Sequence, residues 1–447
     1  MRLKKFLAGA LATAMVAGLV GCGGGSTDTS TTDSSTPSSE AADSDSSSDD
    51  ASTDDSAATG ETKDVTLTVW GPQEDQAPLD GYDDGILKYM CDKFNDEHPE
   101  WNITFEYGVC SEGDAKNLVT KDVSTAADVY MFANDQIPEL VSAGALAELG
   151  GSTVDTLKSE QSETMVESVT YQDGIYGVPF TSNTWFMYYD KSKFDESDVK
   201  SLESIMEKDL GDGVANFAFP LDNSWYIAAF YYGAGGTLFG DGTDENGGCT
   251  FDDENGVAMT KYLVELAANP KFSNEKDGSS IAKFKDGKLG AYCSGSWDAA
   301  AIQEALGDNF AATQIPTVTV NGTEGQLKSF AGSKAIGVNP QCTDPEVAVA
   351  LAAYLGSEEC QQIRFDARGI IPTNNTVAAS DAVKSDVVAT AQANEIDNAS
   401  VVQPMLTAMG SYWTPAETMG KELVQGDVTA DNAEEKTQAM VKGILGQ

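Results

Sequence analysis

Beyond residue 63 the apolar positions of the chain fall at two alternating spacings. Thr66-Leu67-Thr68-Val69-Trp70 places apolar side chains at every second position, which predicts a strand stopped at Gly71-Pro72. Ile86, Tyr89, Met90 and Phe94 then fall at helical spacing. Ile103, Phe105, Tyr107 and Val109 return to period two, and Ala127 to Phe132 reads as a third strand, mostly buried in character. Pro138 to Leu146 predicts a short helix ending at Gly144-Ala145. A second region of the same kind starts after Thr184. Its strands are Trp185 to Tyr189, Phe217 to Phe219 and Leu289 to Cys293, and Gly256 to Ala267 is an apolar-faced helix. Lys334 to Val338 is strand-like, and Pro345 to Leu355 and Cys360 to Phe365 are helical. This order predicts an α/β fold with open, mostly parallel sheets, whose ligands meet the loops after the carboxyl ends of strands. In the first region those loops are Gly71 to Pro78 and Ala133 to Ile137.

The first 63 residues follow another pattern. Met1-Arg2-Leu3-Lys4-Lys5 precedes an uncharged run from Phe6 to Val20, the form of a secretory signal and shorter than the ~20 apolar residues of a membrane span. Leu19-Val20-Gly21-Cys22 resembles the lipobox of bacterial lipoproteins, in which the cysteine thiol takes a diacylglycerol and becomes the new N-terminus. From Gly23 to Lys63 almost no residue is apolar, and ten acids face one lysine. Such a segment cannot bury enough surface to repay ordering and is expected to be a disordered tether spanning roughly 35 Å. Residues 1–22 are thus a lipoprotein signal peptide with Cys22 lipidated, and residues 23–63 an acidic tether holding the remainder at the outer face of a bacterial cell membrane.

The remaining residues, nearly 400, exceed what one hydrophobic core usually supports, so two domains are expected. The whole chain carries 71 acidic and 27 basic residues, a formal net charge of −44. That excess argues against nucleic acid and against lying on an anionic membrane, leaving the lipid as the only membrane contact. Six cysteines besides Cys22 are widely spaced with no CxxC, and the only histidine, His98, sits in Glu97-His98-Pro99, so no zinc site and no cofactor are expected. Neither a GxxxxGKS/T nor a GxGxxG loop follows residue 63, and no GxSxG elbow occurs there. Asp241 to Gly248 suggests a calcium loop, but Asn246 stands where that loop needs glycine, and a solvated turn is the simpler reading.

Six segments in order carry a family resemblance: LTVWGPQEDQ; AADVYMFANDQIPELVSAGALAEL; YQDGIYGVPFTSNTWFMYYDKSKF; YYGAGGTLF; IAKFKDGKLGAYCSGSWDAA with VNGTEGQLKSFAGSKAIGVNP; and SYWTPAETMGKELVQGD. They resemble the extracellular solute-binding proteins of ABC sugar importers, within them the maltose/maltodextrin-binding group. The resemblance implies a two-lobed periplasmic-binding-protein-like α/β fold with a hinge and a central cleft that closes on sugar. One lobe would be 64–181 plus 331–383, the other 186–328 plus 390–447. It further implies a monomer that is not an enzyme, with an oligosaccharide as ligand and transmembrane permease subunits as partners.

The side-chain chemistry agrees. Sugars present apolar C–H faces and a rim of hydroxyls, so their sites need flat aromatic platforms and planar polar groups. By motif, Phe132 stands where the family has a tryptophan bordering the cleft, Trp225 where it has a stacking tyrosine, and Trp297 and Trp413 where it has stacking tryptophans. Trp297 and Trp413 lie in glycine- or proline-marked segments, which predicts exposed loop positions. The polar matches are Glu74 and Asp75, Asp135 and Gln136, Asn183 at the hinge strand, Asn223, and Glu417. Several depart from the family: Asp75 replaces a common lysine, Gln136 and Glu417 replace arginines, and Asn183 replaces an acid. The class is therefore clearer than the sugar. Two other readings stay open: the same fold holding a peptide, a metal complex or a polyamine, the last of which Glu74, Asp75, Asp135 and Glu417 would suit, and a surface glycosidase, which needs two facing carboxylates roughly 5 to 9.5 Å apart.

Overall fold

The computed structural model describes residues 62–447 apart from Asp277. The signal segment, Cys22 and the acidic run lie outside the described residues, except for the last two positions of that run. Eleven strands build two sheets: β1 (Lys63–Gly71), β2 (Trp101–Val109), β3 (Val129–Ala133), β4 (Val178–Asn183), β5 (Trp185–Asp190), β6 (Ala215–Phe219), β7 (Phe272–Asn274), β8 (Leu289–Gly295), β9 (Phe310–Thr313), β10 (Ser329–Val338) and β11 (Ser400–Val402). The first sheet has the order β11-β10-β3-β1-β2, with β4 also paired to β10; the second has the order β9-β5-β8-β6-β7.

Both sheets are mixed rather than mostly parallel. β1 runs parallel to β2 and β3, but β10 returns antiparallel to β3 and β4. In the second sheet β5 is antiparallel to both β8 and β9. The cause is topological: β10 arrives from the second sheet and enters the first from its far end. Its length follows from this. The apolar run predicts a strand from Lys334, whereas the strand begins at Ser329, because Phe330 is packed in the second sheet's core and Ala335, Ile336 and Val338 in the first's.

The second sheet is covered on both faces. Trp185, Met187 and Tyr189 point into one cluster and Phe186 and Tyr188 into another, so the whole strand reads as a continuous apolar run. The helices Ile86–Glu97, Glu254–Ala268, Pro345–Leu355 and Glu358–Arg368 form where the helical spacing places them. Three segments pass between the sheets: Asn183-Thr184 between β4 and β5, the start of β10, and the helix Val387–Asn398 leading into β11. Among the described residues no helix is long and apolar enough to cross a membrane.

Candidate functional site

The crossing segments bring part of the expected set together. Trp225 is the second residue of the helix Ser224–Gly233, which Asn223 caps by accepting the Trp225 N–H at 2.9 Å. Its indole is half-buried, edge-on to Tyr226, and donates Nε1–H to Gln403 Oε1 at 3.2 Å. Trp297 lies 6.1 Å from it, centroid to centroid, with the rings inclined by 36°. Trp297 sits in the short turn Ser296–Asp298 after β8 and is 49% exposed. The ring folds back over Gly295, where an added Cβ would come within 2.0 Å of it, so only glycine admits this pose. Asp298 anchors the turn by accepting from the Ser294 hydroxyl at 2.6 Å. The result is a pair of tilted indoles with Trp297 open to solvent.

From Gln403 the chain runs to the first sheet. Met405 packs against the first core, and Asn134 Nδ2 donates to its sulfur at 3.5 Å. Asn134 opens the turn Asn134–Gln136 after β3, and its Oδ1 accepts the Ser333 N–H at 2.9 Å. Gly332 makes room for it, since a Cβ there would lie 2.3 Å from that oxygen. Asn183, half-buried, pairs with Gly332 across β4 and β10 and so adjoins this turn. Asp135 follows Asn134. Its side chain is open to solvent, yet desolvation by the surrounding protein pushes its carboxyl up to about 6, against the lowering pull of Lys116. Lys334 of β10 pairs with the nearly buried Glu112 at 3.5 Å beside the same strand end.

Other expected residues are placed differently. Asp75 is fully buried: the short helix Gln73–Gln76 turns it inward to a salt bridge with Arg368 and to Arg364, 3.7 Å away. It braces the first loop and cannot face a ligand. Gln136 is also inward, accepting the Lys116 N–H and donating to the carbonyls of Glu112 and Gly113. Phe132 is fully buried in the five-residue apolar strand β3, where its ring lies against Gly177 and Gly337. It belongs to the core rather than to the cleft border. Asn223 spends its side-chain oxygen on the helix cap. Trp413 is not in a loop: it opens the helix Trp413–Gln425, half-buried and edge-on to Tyr412 and Phe330. Pro415 in the first turn costs no hydrogen bond there, so the proline taken as a loop mark is a helix start. Glu417, one turn on, pairs with Lys421. Glu74 is exposed beside the buried Asp75.

Gln403, Met405, Asn134 and Lys334 are absent from the expected set, because nothing local in the sequence marks the segment after a crossing, or the strand end it packs on, as site-forming. A cavity of about 700 Å³ adjoins the site through Gln403 and Met405, with Tyr232 and Lys328 on its wall. A larger one of about 960 Å³, between the helices Gly151–Glu160 and Pro345–Leu355, touches no expected residue. Among the described residues no group of three His, Cys, Asp or Glu could hold a metal ion, and the six cysteines are free thiols. In the acidic turn after Phe239, Asp241 accepts from Thr243 and Asp244 from the Asn246 N–H, while Glu245 accepts the Thr407 N–H at 2.9 Å.

The family described as bacterial extracellular solute-binding protein matches residues 89–391. The galactooligosaccharide-binding protein of Bacillus subtilis (strain 168) is 25% identical over 407 residues, covering 87% of this chain and 92% of its own. The maltooligosaccharide ABC transporter solute-binding lipoprotein of Streptococcus pneumoniae (strain ATCC BAA-255 / R6) is 25% identical over 384 residues, covering 82% and 88%. Among solved structures, one with acarbose superposes at a TM-score of 0.79 with 45% identity, covering 85% of this chain and 98% of that one. The maltodextrin-binding protein of L. casei BL23, without ligand, gives 0.77 with 26% identity and covers 85% and 98%. Two sheets joined by three crossings are the two-lobed architecture of these proteins, and the chain belongs to the bacterial extracellular solute-binding proteins.

Proposed function

We propose that the protein captures oligosaccharides, of malto-oligosaccharide type, in the interlobe cleft and delivers them to the permease subunits of an ABC transporter. The observation that carries this reading is the tilted Trp225–Trp297 pair with Trp297 open to solvent. An exposed indole face suits a pyranose C–H face, and Asp135 and Asn183 can accept and donate to the hydroxyl rim. The relatives' sugar ligands support the same class. In this reading residues 64–181 with 331–383 form one lobe and residues 186–328 with 390–447 the other. The lipid on Cys22 holds a monomer at the outer membrane face, in keeping with the lipoprotein named among the relatives.

The polyamine alternative loses support from the geometry. Of the four acids it would use, Asp75 is buried against two arginines and Glu417 is paired with Lys421, leaving Glu74 and Asp135. The glycosidase alternative does not fit membership of a solute-binding family. A thermal-shift panel of malto- and galacto-oligosaccharides, acarbose and spermidine tests the proposal. A true ligand at 100 times its Kd adds about 2.7 kcal/mol to stability. A shift with spermidine and none with any sugar refutes it.

A further inference from the structure

The three crossing segments meet in a buried polar chain that the sugar site does not use. Thr184, between β4 and β5, places its Oγ1 3.0 Å from the Phe330 carbonyl and 2.9 Å from Ser329 Oγ. Ser329, the first residue of β10, lies 2.6 Å from Glu395 Oε1. Glu395 is on the helix Val387–Asn398, is fully buried, and its other oxygen accepts the Ile315 N–H at 2.8 Å. One turn earlier on the same helix, Gln392 donates to Ser182 of β4, so the helix grips the crossing strands twice.

The hydrogens in this chain can be counted. A carbonyl only accepts, and each hydroxyl carries one hydrogen. Thr184–Phe330, Thr184–Ser329 and Ser329–Glu395 are the three oxygen–oxygen contacts of 3.0 Å or less, a fourth from Ser329 to the Ala399 carbonyl lying at the 3.5 Å limit, and the two hydroxyls supply two hydrogens. A proton on Glu395 supplies the third. All then run in one sense: Glu395 to Ser329, Ser329 to Thr184, Thr184 to the Phe330 carbonyl. With Glu395 ionised, one of the three contacts sets oxygen against oxygen without a hydrogen, in a site where an unmade bond is costly.

The surroundings agree. Burial raises the Glu395 carboxyl to about 8, with Ser329 and the Ile315 N–H pulling the other way. Tyr188, Tyr189 and Asp190 on β5, and Asp381 and Lys384 on the preceding short helix, belong to elements packed on this helix, but no charge on them acts on the carboxyl. Neither does Asp386 at the N-cap of the helix nor Asp397 on it. Cys293 of β8 senses Glu395, and its own thiol is pushed well up by burial.

We infer that Glu395 is held as a neutral acid and acts as the positioning residue of the hinge: its proton completes one hydrogen-bond chain through all three crossings, and its loss loosens their mutual geometry. This concerns the ligand-free protein and stands or falls apart from the identity of the sugar.

Glu395→Gln tests it, because an amide donates to Ser329 and accepts from Ile315 as the neutral acid does. Infrared difference spectra of the full chain, wild type minus E395Q, should show a protonated carboxylic acid at pH 7. The wild-type Tm should fall relative to E395Q between pH 6 and pH 9, and the radius of gyration by small-angle scattering should shift over that range in the wild type alone. Glu395→Ala, which strands the Ile315 N–H, should lower Tm at every pH. A carboxylate band at pH 7, parallel Tm profiles for wild type and E395Q, an unchanged radius of gyration, or an E395Q that fails to fold would each overturn the inference.

Discussion

Removing the Trp297 ring separates ligand binding from folding. A tryptophan offers up to about 250 Å² of burial, and Trp297 is 49% exposed, so about 120 Å² is open to a ligand. A pyranose covers one of the two ring faces, about 60 Å². At about 25 cal/mol per Å² this is worth about 1.5 kcal/mol, or a roughly tenfold loss of affinity in Trp297→Ala. The cost to the fold is small, because the ring packs on Gly295 and on the edge of a pair with Trp225 rather than inside a core. Losing one aromatic pair costs about 1 kcal/mol, a Tm change of no more than about 3 °C in a chain of this size. Calorimetric titration and a melting curve on the same preparation read both quantities. Unchanged affinity would show that no ligand covers the indole. A large fall in Tm would show that the ring is structural.

Three further substitutions follow from the geometry. Trp413→Ala should weaken binding and also lower stability by about 1 to 3 kcal/mol, because its half-buried ring packs on Phe330 and Tyr412; a change in affinity alone by calorimetry and melting would return Trp413 to the exposed class. Asp75→Asn strips the buried Arg364 and the partly exposed Arg368 of their counter-charge and should cost about 3 to 5 kcal/mol in denaturant unfolding, while the folded fraction keeps its sugar affinity; lost affinity with intact stability would place Asp75 in the site after all. Asp135 should accept sugar hydroxyls as a carboxylate, so affinity should fall as pH drops through about 6, and Asp135→Asn should flatten that profile. Its folded pKa lies above the ordinary value, so the folded form takes up the proton and this group favours folding as pH falls from about 6 toward 4. Loss of binding there therefore cannot be assigned to Asp135-driven unfolding.

The elements were legible because each core face repeats at its own period. The helix Pro345–Leu355 starts at its N-terminal proline, and the helices Glu254–Ala268 and Glu358–Arg368 extend the apolar stripe by up to three residues at either end. The mixed sheets were not legible, since strand direction depends on where β10 comes from, which no local spacing encodes. At the site, the family match alone pointed to Trp225, while Trp297 was also marked by the glycine beside it. Asp75 and Gln136 did not reveal their direction: a polar residue after a strand points inward or outward according to partners elsewhere, and Arg368 is nearly 300 residues from Asp75. Phe132 lies in a run, Val129 to Ala133, whose unbroken apolar character already indicated core; the family match, not the pattern, pointed it at the cleft. Glu395 carried a faint signal, an acid on the stripe of Ala389, Gln392 and Ala399 that the fold buries.

In the proposed function the interlobe cleft takes an oligosaccharide on the Trp225–Trp297 platform. Isothermal titration of the wild-type protein at pH 7 with maltotriose and maltotetraose tests it most directly. Saturable one-to-one binding is expected, with a negative heat-capacity change as the indole face is covered. Saturable heat with spermidine, and none with either sugar, would contradict it.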